Sequence, residues 1–133
     1  PGHHICRHGS THVDVQVIDF GGKVAVRSVA PVSIGSRIDQ ELLRFLLDKN
    51  AGFVFGAFGI DPNGVILFSH TVLASSLDTE ELGASVNAVL LMADKFDDEI
   101  VRRWGGKTMA QTVIDKVLPA RILDLLRRAE TKV

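Results

Sequence analysis

The residues best suited to chemistry lie near the beginning of this sequence. His3, His4, Cys6 and His8, with His12 just beyond them, carry the imidazole and thiol groups that bind metal ions. In an extended segment, alternate residues of this group share one face and lie near enough to hold one ion. However, their spacing matches no standard zinc framework, and a frayed polar segment explains the same residues. We therefore expect no metal and no cofactor, with a metal site here as the alternative.

A second candidate is Gly105-Gly106-Lys107-Thr108, which looks like the end of a phosphate-binding P-loop. That loop requires another glycine five residues before the second one, and position 101 is valine. It also follows a strand, whereas a helix is predicted before these residues. The C-cap of one helix followed by the N-cap of the next explains all four residues.

The acidic run Asp94, Asp97, Asp98 and Glu99 is a third candidate, as a source of paired carboxylates. Asp94 and Asp98 are four residues apart on a predicted helix and lie away from its apolar stripe, which favours solvated side chains. Asp97 lies nearer the edge of the stripe. A general acid requires a carboxyl group whose pKa is raised by an apolar pocket, and the sequence shows none.

His70 lies in an apolar predicted strand, between Ser69 and Thr71. A core histidine hydrogen-bonded to a neighbouring backbone group is a simpler interpretation than a general base, because no Gly-x-Ser-x-Gly elbow accompanies it. We therefore expect no catalytic residues and no enzymatic activity.

The elements that position these residues begin with a hairpin. Alternating apolar and polar residues predict strands over residues 12–20 and 23–30. Gly21 and Gly22 form the turn, because both positions of the favoured two-residue turn require positive φ. Pro31 weakens any continuation of the second strand. The inward positions are Val13, Val15, Val17, Val24 and Val26.

Helical periodicity predicts helices over residues 38–49 and 79–104, and a final helical segment over residues 108–130. Asp78 is the expected N-cap of the long helix, with Glu81 completing a capping box. The first helix repeats Ile38, Leu42, Phe45 and Leu46. The stripe of the long helix consists of Leu82, Val86, Val89, Ala93, Phe96, Ile100 and Trp104.

A second predicted hairpin, over residues 53–60 and 65–72, is apolar on both faces. Its turn, residues 61–64, has proline where a type I turn fixes φ and glycine at the last position. Covering both faces requires helices on one side and a further element on the other. A second subunit is the simplest cover, and the C-terminal helical segment is the alternative. The expected apolar interface residues are Phe53, Phe55, Phe58, Phe68, Leu91 and Met92.

Composition limits the class of protein. The chain has 133 residues, which predicts one domain over residues 1–133. Its 15 basic and 16 acidic residues argue against a nucleic-acid partner, which requires a dense basic patch. No apolar run is long enough for a membrane helix, and the single cysteine excludes an intramolecular disulfide. These features predict a soluble protein of the cytoplasm.

Several short motifs between residues 53 and 106 together follow a family pattern. They are GAFGID at 56–61, LF at 67–68, LDTEEL at 77–82, ADKFDDEI at 93–100 and WGG at 104–106. They resemble the YbjN-like family, which shares its fold with type III secretion chaperones, and in particular its short members associated with cyanobacteria. The resemblance implies an α+β domain, usually dimeric, with an antiparallel sheet packed against a long helix. Secretion chaperones of this fold bind extended segments of partner proteins.

Taken together, the residues and the resemblance favour a non-enzymatic, chaperone-like homodimer that engages a protein or peptide segment. A regulatory or small-ligand-sensing domain, with its ligand between sheet and helix, is the alternative.

Overall fold

A five-stranded antiparallel sheet with a long helix across one face forms the framework of this α+β chain, as the sequence predicts. The computed structural model describes residues 3–8, 11–76, 78–112, 125 and 128–129. The elements are β1 (His3–His8), β2 (Thr11–Phe20), β3 (Lys23–Ser33), α1 (Gln40–Gly52), β4 (Ala57–Ile60), β5 (Ile66–Leu73), a 3-10 turn (Ala74–Ser76) and α2 (Thr79–Trp104). The strand order is β1-β2-β3-β5-β4. No helix within these described ranges is long and apolar enough to cross a membrane.

The first hairpin forms as predicted, with φ of 56° at Gly21 and 82° at Gly22. Two expectations about its return strand are wrong. The strand continues past Pro31 to Ser33, because a register shift there accommodates a residue without an N–H donor. Val24 is 48% exposed rather than inward, because it lies beside the turn at the end of the sheet.

The second hairpin begins later than predicted. Its first strand starts at Ala57 rather than residue 53, because Gly56 turns the chain with φ of 75°. A Cβ atom on Gly56 would lie 2.6 Å from the ring of Phe68, so only glycine fits there. The turn at residues 61–64 forms as expected. Gly64 donates its N–H to the Asp61 carbonyl at 2.9 Å.

The helix α2 has the bounds that the sequence predicts. The Asp78 carboxylate accepts the Glu81 N–H at 2.7 Å, and the Glu81 side chain accepts the Asp78 N–H at 3.3 Å. This reciprocal pair satisfies two of the N–H groups that a helix start leaves free. The buried residues of α2 are Val89, Leu90, Ala93, Phe96, Ile100 and Trp104. Each large side chain among them contributes roughly 1.5–3 kcal/mol on burial.

The helix α1 begins at Gln40, two residues later than predicted. Asp39 is its N-cap, with Oδ1 accepting the Leu42 N–H at 2.8 Å, so Ile38 lies outside the helix and is exposed. This hydrogen bond, helped by Arg37, lowers the pKa of Asp39 below its ordinary value. At the other end, Asn50 belongs to the last turn, which ends at Gly52.

The loop before α1 holds the C-terminal end of α2. Arg37 donates its N–H to the Trp104 carbonyl at 2.7 Å, and the Ser36 hydroxyl donates to the Gly105 carbonyl at 2.8 Å. These bonds satisfy carbonyl groups that the end of a helix leaves free. The Ser33 and Ser36 hydroxyl oxygens lie 2.8 Å apart. Because the Ser36 hydroxyl donates its hydrogen to the Gly105 carbonyl, the Ser33 hydroxyl is the donor to Ser36.

The P-loop-like motif has the structural role that the sequence predicts. Gly105 caps α2 with φ of 76°, and Lys107 exchanges two backbone hydrogen bonds with Ile34, at 2.8 and 2.9 Å. Thr108 and Gln111 then form a reciprocal cap, at 2.9 and 3.3 Å, for a helical turn over residues 109–112. Most of the predicted segment 108–130 lies outside the described residues.

Candidate functional site

An aromatic cluster fixes one end of the molecule. Phe53 turns inward between α1 and β4, where its ring centroid lies 5.3 Å from that of Phe68 and 5.8 Å from that of Phe96. Phe58 lies 5.4 Å from Phe96 in the same cluster. Phe45 packs on Trp104 at 5.1 Å. These edge-to-face and tilted contacts add to the stabilisation that ring burial provides.

The six residues of the expected apolar interface fall into two groups. Phe58 and Phe68 are buried in the core, and Phe53 and Met92 are partly buried against it. Phe55 and Leu91 are exposed, with 60% and 55% of their surface accessible. Of the six, only Phe55 and Leu91 are therefore exposed at the surface of the chain.

Phe55 stands at the mouth of a groove between β5 and the first half of α2. The groove has a volume of about 380 Å³ and is lined mainly by apolar atoms. Its lining residues are Phe55, His70, Val72, Glu81, Ala84, Ser85 and Ala88. Because Ala84 and Ala88 have short side chains, this part of α2 leaves open space above the strand. We refer to it as the β5 groove.

The floor of the β5 groove carries one polar pair. His70 Nδ1 lies 2.8 Å from the Ser85 hydroxyl, and the imidazole meets the Phe55 ring at 5.5 Å, nearly edge-on. The expectation that His70 bonds to backbone is therefore wrong, because α2 brings a hydroxyl to it. Ser85 was missed by the sequence analysis. The one sequence feature that could have indicated Ser85 is its position between Ala84 and Ala88, on the face of α2 beside the apolar stripe.

His70 and Ser85 supply two of the three groups of a nucleophile–base arrangement, an imidazole and a hydroxyl. Such an arrangement also requires a third group that orients the imidazole as the base. Glu81, the carboxylate of the groove, instead accepts the Asp78 N–H in the capping box. No carboxylate among the described residues is hydrogen-bonded to His70. The arrangement suits binding and orienting a guest group.

A second groove lies on the other side of the same half of α2. It has a volume of about 470 Å³ and is bordered by Val15 of β2. Its remaining lining residues are Thr79, Leu82, Gly83, Val86, Asn87 and Leu90. The first half of α2 is therefore flanked by apolar space on both sides.

The edge strand β4 is closed to further strand pairing at its centre. Asn50 of α1 donates its side-chain Nδ2–H to the Phe58 carbonyl at 3.1 Å, and its Oδ1 accepts the Phe58 N–H at 2.7 Å. The amide group thus takes both backbone groups that a neighbouring strand would use. This is one of the ways in which proteins protect a sheet edge.

One carboxyl group in the acidic run of α2 has a shifted pKa. Burial of the half-exposed Asp97 side chain raises its pKa to about 6, and the charges of Asp98 and Asp94 add to the shift. The sequence shows no apolar pocket around this carboxyl group, and the burial that raises its pKa depends on how α2 packs. Asp97 lines neither groove. Glu99 binds Arg103 at 3.3 Å, and Arg103 also binds Glu41 of α1 at 3.3 Å.

Among the side chains that the structure describes, no group of three or more His, Cys, Asp or Glu residues is arranged to hold a metal ion. His3, His4, Cys6 and His8 lie on β1, whose backbone pairs with β2, but their side chains fall outside the described part of the chain. The metal site there stays an alternative.

Comparisons with known proteins agree with this architecture. One chain of the crystal structure of the ExsC–ExsE complex matches with a TM-score of 0.63 and 17% sequence identity, over 74% of this chain and 76% of that chain. No curated protein sequence matches significantly. The sequence model of the family TY-Chap1, "T3SS (YopN, CesT) and YbjN peptide-binding chaperone 1", matches residues 1–112. That match spans the sheet, both helices and both grooves, and the chain therefore belongs to the TY-Chap1 family, as its resemblance to YbjN-like proteins and secretion chaperones implies.

Proposed function

We propose that this chain is a non-enzymatic, chaperone-like protein that holds an extended segment of a partner protein. The observation that carries the proposal is the β5 groove, an apolar cleft with an exposed phenylalanine at its mouth, in a member of a family of peptide-binding chaperones. The matched solved structure is itself a complex, between ExsC and ExsE.

The surface beside the groove supports binding to another macromolecule. Val54, the residue before Phe55 in the chain, is 86% exposed, so two consecutive apolar residues face water where the chain reaches the groove. Contiguous exposed apolar surface next to a cleft is typical of interaction sites rather than of inert surface. An aromatic ring at such a position supplies contact area at low cost in conformational entropy.

The chemistry of the groove supports binding without catalysis. The carboxylate beside the His70–Ser85 pair is engaged in a helix cap, so nothing described orients the imidazole as a general base. The pair supplies instead a donor and an acceptor that fix the orientation of a guest backbone or side chain.

We further propose that the protein is a homodimer in the cytoplasm. Leu91 is 55% exposed on α2, outside the residues that line either groove, and a second subunit would cover this large apolar side chain. The single cysteine agrees with a reducing compartment. Sedimentation equilibrium should give twice the 14.4 kDa of one chain at micromolar concentration.

Leu91→Glu should convert that dimer to a monomer, because a carboxylate would lose its hydration in the contact. Leu47→Glu, at a leucine on α1 that is 68% exposed, is the matched control and should leave the dimer intact. A wild-type protein that sediments as one chain throughout the micromolar range contradicts the homodimer.

Peptide binding is tested with a random dodecapeptide library displayed on phage and selected on the full chain. Synthetic copies of enriched peptides should bind in solution. Phe55→Ser should weaken their binding about tenfold, because it removes one anchor side chain. Leu47→Ser is the matched control at an exposed apolar residue away from the groove. Selection that enriches no binding peptide contradicts the proposed function.

A small-ligand-sensing role is the second candidate, because the volume of the β5 groove falls in the range of small-molecule sites. Native mass spectrometry of the protein purified without denaturation tests it. A stoichiometric bound small molecule, lost in Phe55→Ser, would favour this role over peptide binding.

A further inference from the structure

The charges around the β5 groove are unevenly distributed. Glu80 and Ala84 are one helical turn apart, as are Ala84 and Ala88, so Glu80 extends the same face of α2 that lines the groove. Glu81 lines the groove itself, and Asp78 caps the helix beside them. Three carboxylates therefore stand at one end of an apolar cleft, in a chain whose net charge is only −1.

The positive end of the α2 dipole does not neutralise these groups. A helix N-terminus is equivalent to about +0.5 elementary charge, well below the three negative charges of the carboxylates. Among the described residues that line the groove, none is lysine or arginine. This end of the groove therefore has a negative potential that a bound cation would relieve.

The closed β4 edge limits how a segment can be held. Because the Asn50 amide takes the N–H and C=O of Phe58, a guest strand cannot pair at the centre of β4 without displacing it. The sheet edge nearest Phe55 is therefore protected at its centre, which favours recognition through side chains that enter the β5 groove over pairing with a guest strand.

Resting on the function proposed above, we propose that the β5 groove takes an extended partner segment with an apolar side chain followed or preceded by lysine or arginine. The apolar side chain lies over Val72, Ala84 and Ala88, beside Phe55. The cationic side chain reaches Glu80 and Glu81 at the start of α2. The class of partner is thus a basic-apolar peptide segment.

The first test compares two synthetic peptides built on one enriched library sequence, with two lysines or two glutamates next to the apolar anchor. Fluorescence anisotropy with the full chain should show tighter binding of the lysine peptide, by about threefold for each exposed ion pair. Glu80→Lys should remove this preference, and 0.5 M NaCl should reduce it, because salt screens exposed charges. Asp94→Lys, the same charge change outside the groove on α2, should leave the preference unchanged.

The second test fills the groove. Ala84→Trp places a large ring in the groove from an exposed helix position. This variant should weaken the binding of both peptides at least about tenfold. Asp94→Trp is the matched control. Circular dichroism of both variants establishes that they are folded, and Ala84→Gln provides a milder block if the tryptophan variant does not fold.

The outcomes separate this inference from the function on which it rests. Equal binding of the two peptides, or preference for the glutamate peptide, overturns the basic-apolar assignment. Enriched peptides that bind Ala84→Trp as tightly as wild type show that segments bind outside the β5 groove. That result overturns this inference and leaves the proposed peptide binding intact. Loss of the dimer in Ala84→Trp identifies a second copy of this chain as the occupant and overturns the inference. A library that yields no binder removes the proposed function itself.

Discussion

The two halves of α2 have different environments although they form one continuous helix. Residues 89–104 place six buried side chains against the sheet and the aromatic cluster, and the loop before α1 satisfies the carbonyl groups at their end. Residues 79–88 have no fully buried side chain and lie between two apolar grooves. The second half stabilises the fold, whereas the first half is the surface that we propose for a partner. One helix thus connects a rigid support to a candidate binding site, which keeps the site's geometry precise.

The largest effect should come from removing the ring that links the second half of α2 to the aromatic cluster. Phe96 contacts Phe53 and Phe58, and Phe96→Ala should lower the free energy of unfolding by roughly 3–5 kcal/mol, as truncations of buried aromatic residues do. Asp94→Ala, at an exposed position on the same helix, should cost less than about 1 kcal/mol. Urea melts measure both. Equal stabilities would show that the buried face of α2 is assigned incorrectly.

The same glycine substitution should have opposite effects at the two ends of α2. At Gly106, φ is 86° and a Cβ atom would lie 2.5 Å from the Ile34 carbonyl oxygen, so Gly106→Ala should destabilise by at least roughly 1–3 kcal/mol. Gly83 is helical with open space around it, and Gly83→Ala should stabilise by up to about 1 kcal/mol. Thermal unfolding of the pair provides the measurement. A stabilising effect at both positions would mean that the end of α2 is not held against the loop before α1.

Removing the N-cap should loosen the first half of α2 selectively. Asp78→Ala deletes the acceptor for the Glu81 N–H and should cost about 1 kcal/mol. Hydrogen exchange should become faster in residues 79–88 and stay unchanged in residues 89–104, because the second half is held by its own buried side chains. Asp78→Asn, which keeps an acceptor oxygen, is the control. Faster exchange along the whole helix would contradict the division into two halves.

The smallest effect concerns pH. The pKa of Asp97 in the folded protein, about 6, is above its ordinary value of 3.8, so the folded state binds this proton more tightly than the unfolded state. The resulting stabilisation is complete below the ordinary pKa and is lost as pH rises through about 6. Asp97→Asn should therefore be more stable than wild type at pH 7–8, by about 1 kcal/mol or less because solvent screens a half-exposed carboxyl group.

The two proteins should have similar stability near pH 4, since asparagine resembles the protonated carboxyl group. Urea melts across pH 4–8 provide the comparison. An Asp97→Asn variant that is less stable than wild type at pH 8 would show that the ionised carboxylate is stabilising.

The sequence by itself determined the features that depend on neighbours along the chain. The caps of α2 depend on residues within one turn, Asp78 with Glu81 and then Gly105, and their positions are as predicted. The turns at residues 21–22 and 61–64 depend on the φ preferences of glycine and proline, which are properties of those residues alone. The stripe of α2 follows from helical periodicity, because any sheet beneath the helix would bury the same face.

Only the tertiary structure decided which apolar residues are buried and which polar groups meet. Phe53 and Phe55 are identical side chains two positions apart, yet Phe53 packs against the core and Phe55 remains exposed, because Gly56 turns the chain before β4 begins. The Ser85 hydroxyl meets His70, and the Asn50 amide closes the edge at Phe58. Each of these contacts joins residues from different elements, and its geometry depends on how those elements pack. Local preferences therefore carry no information about them.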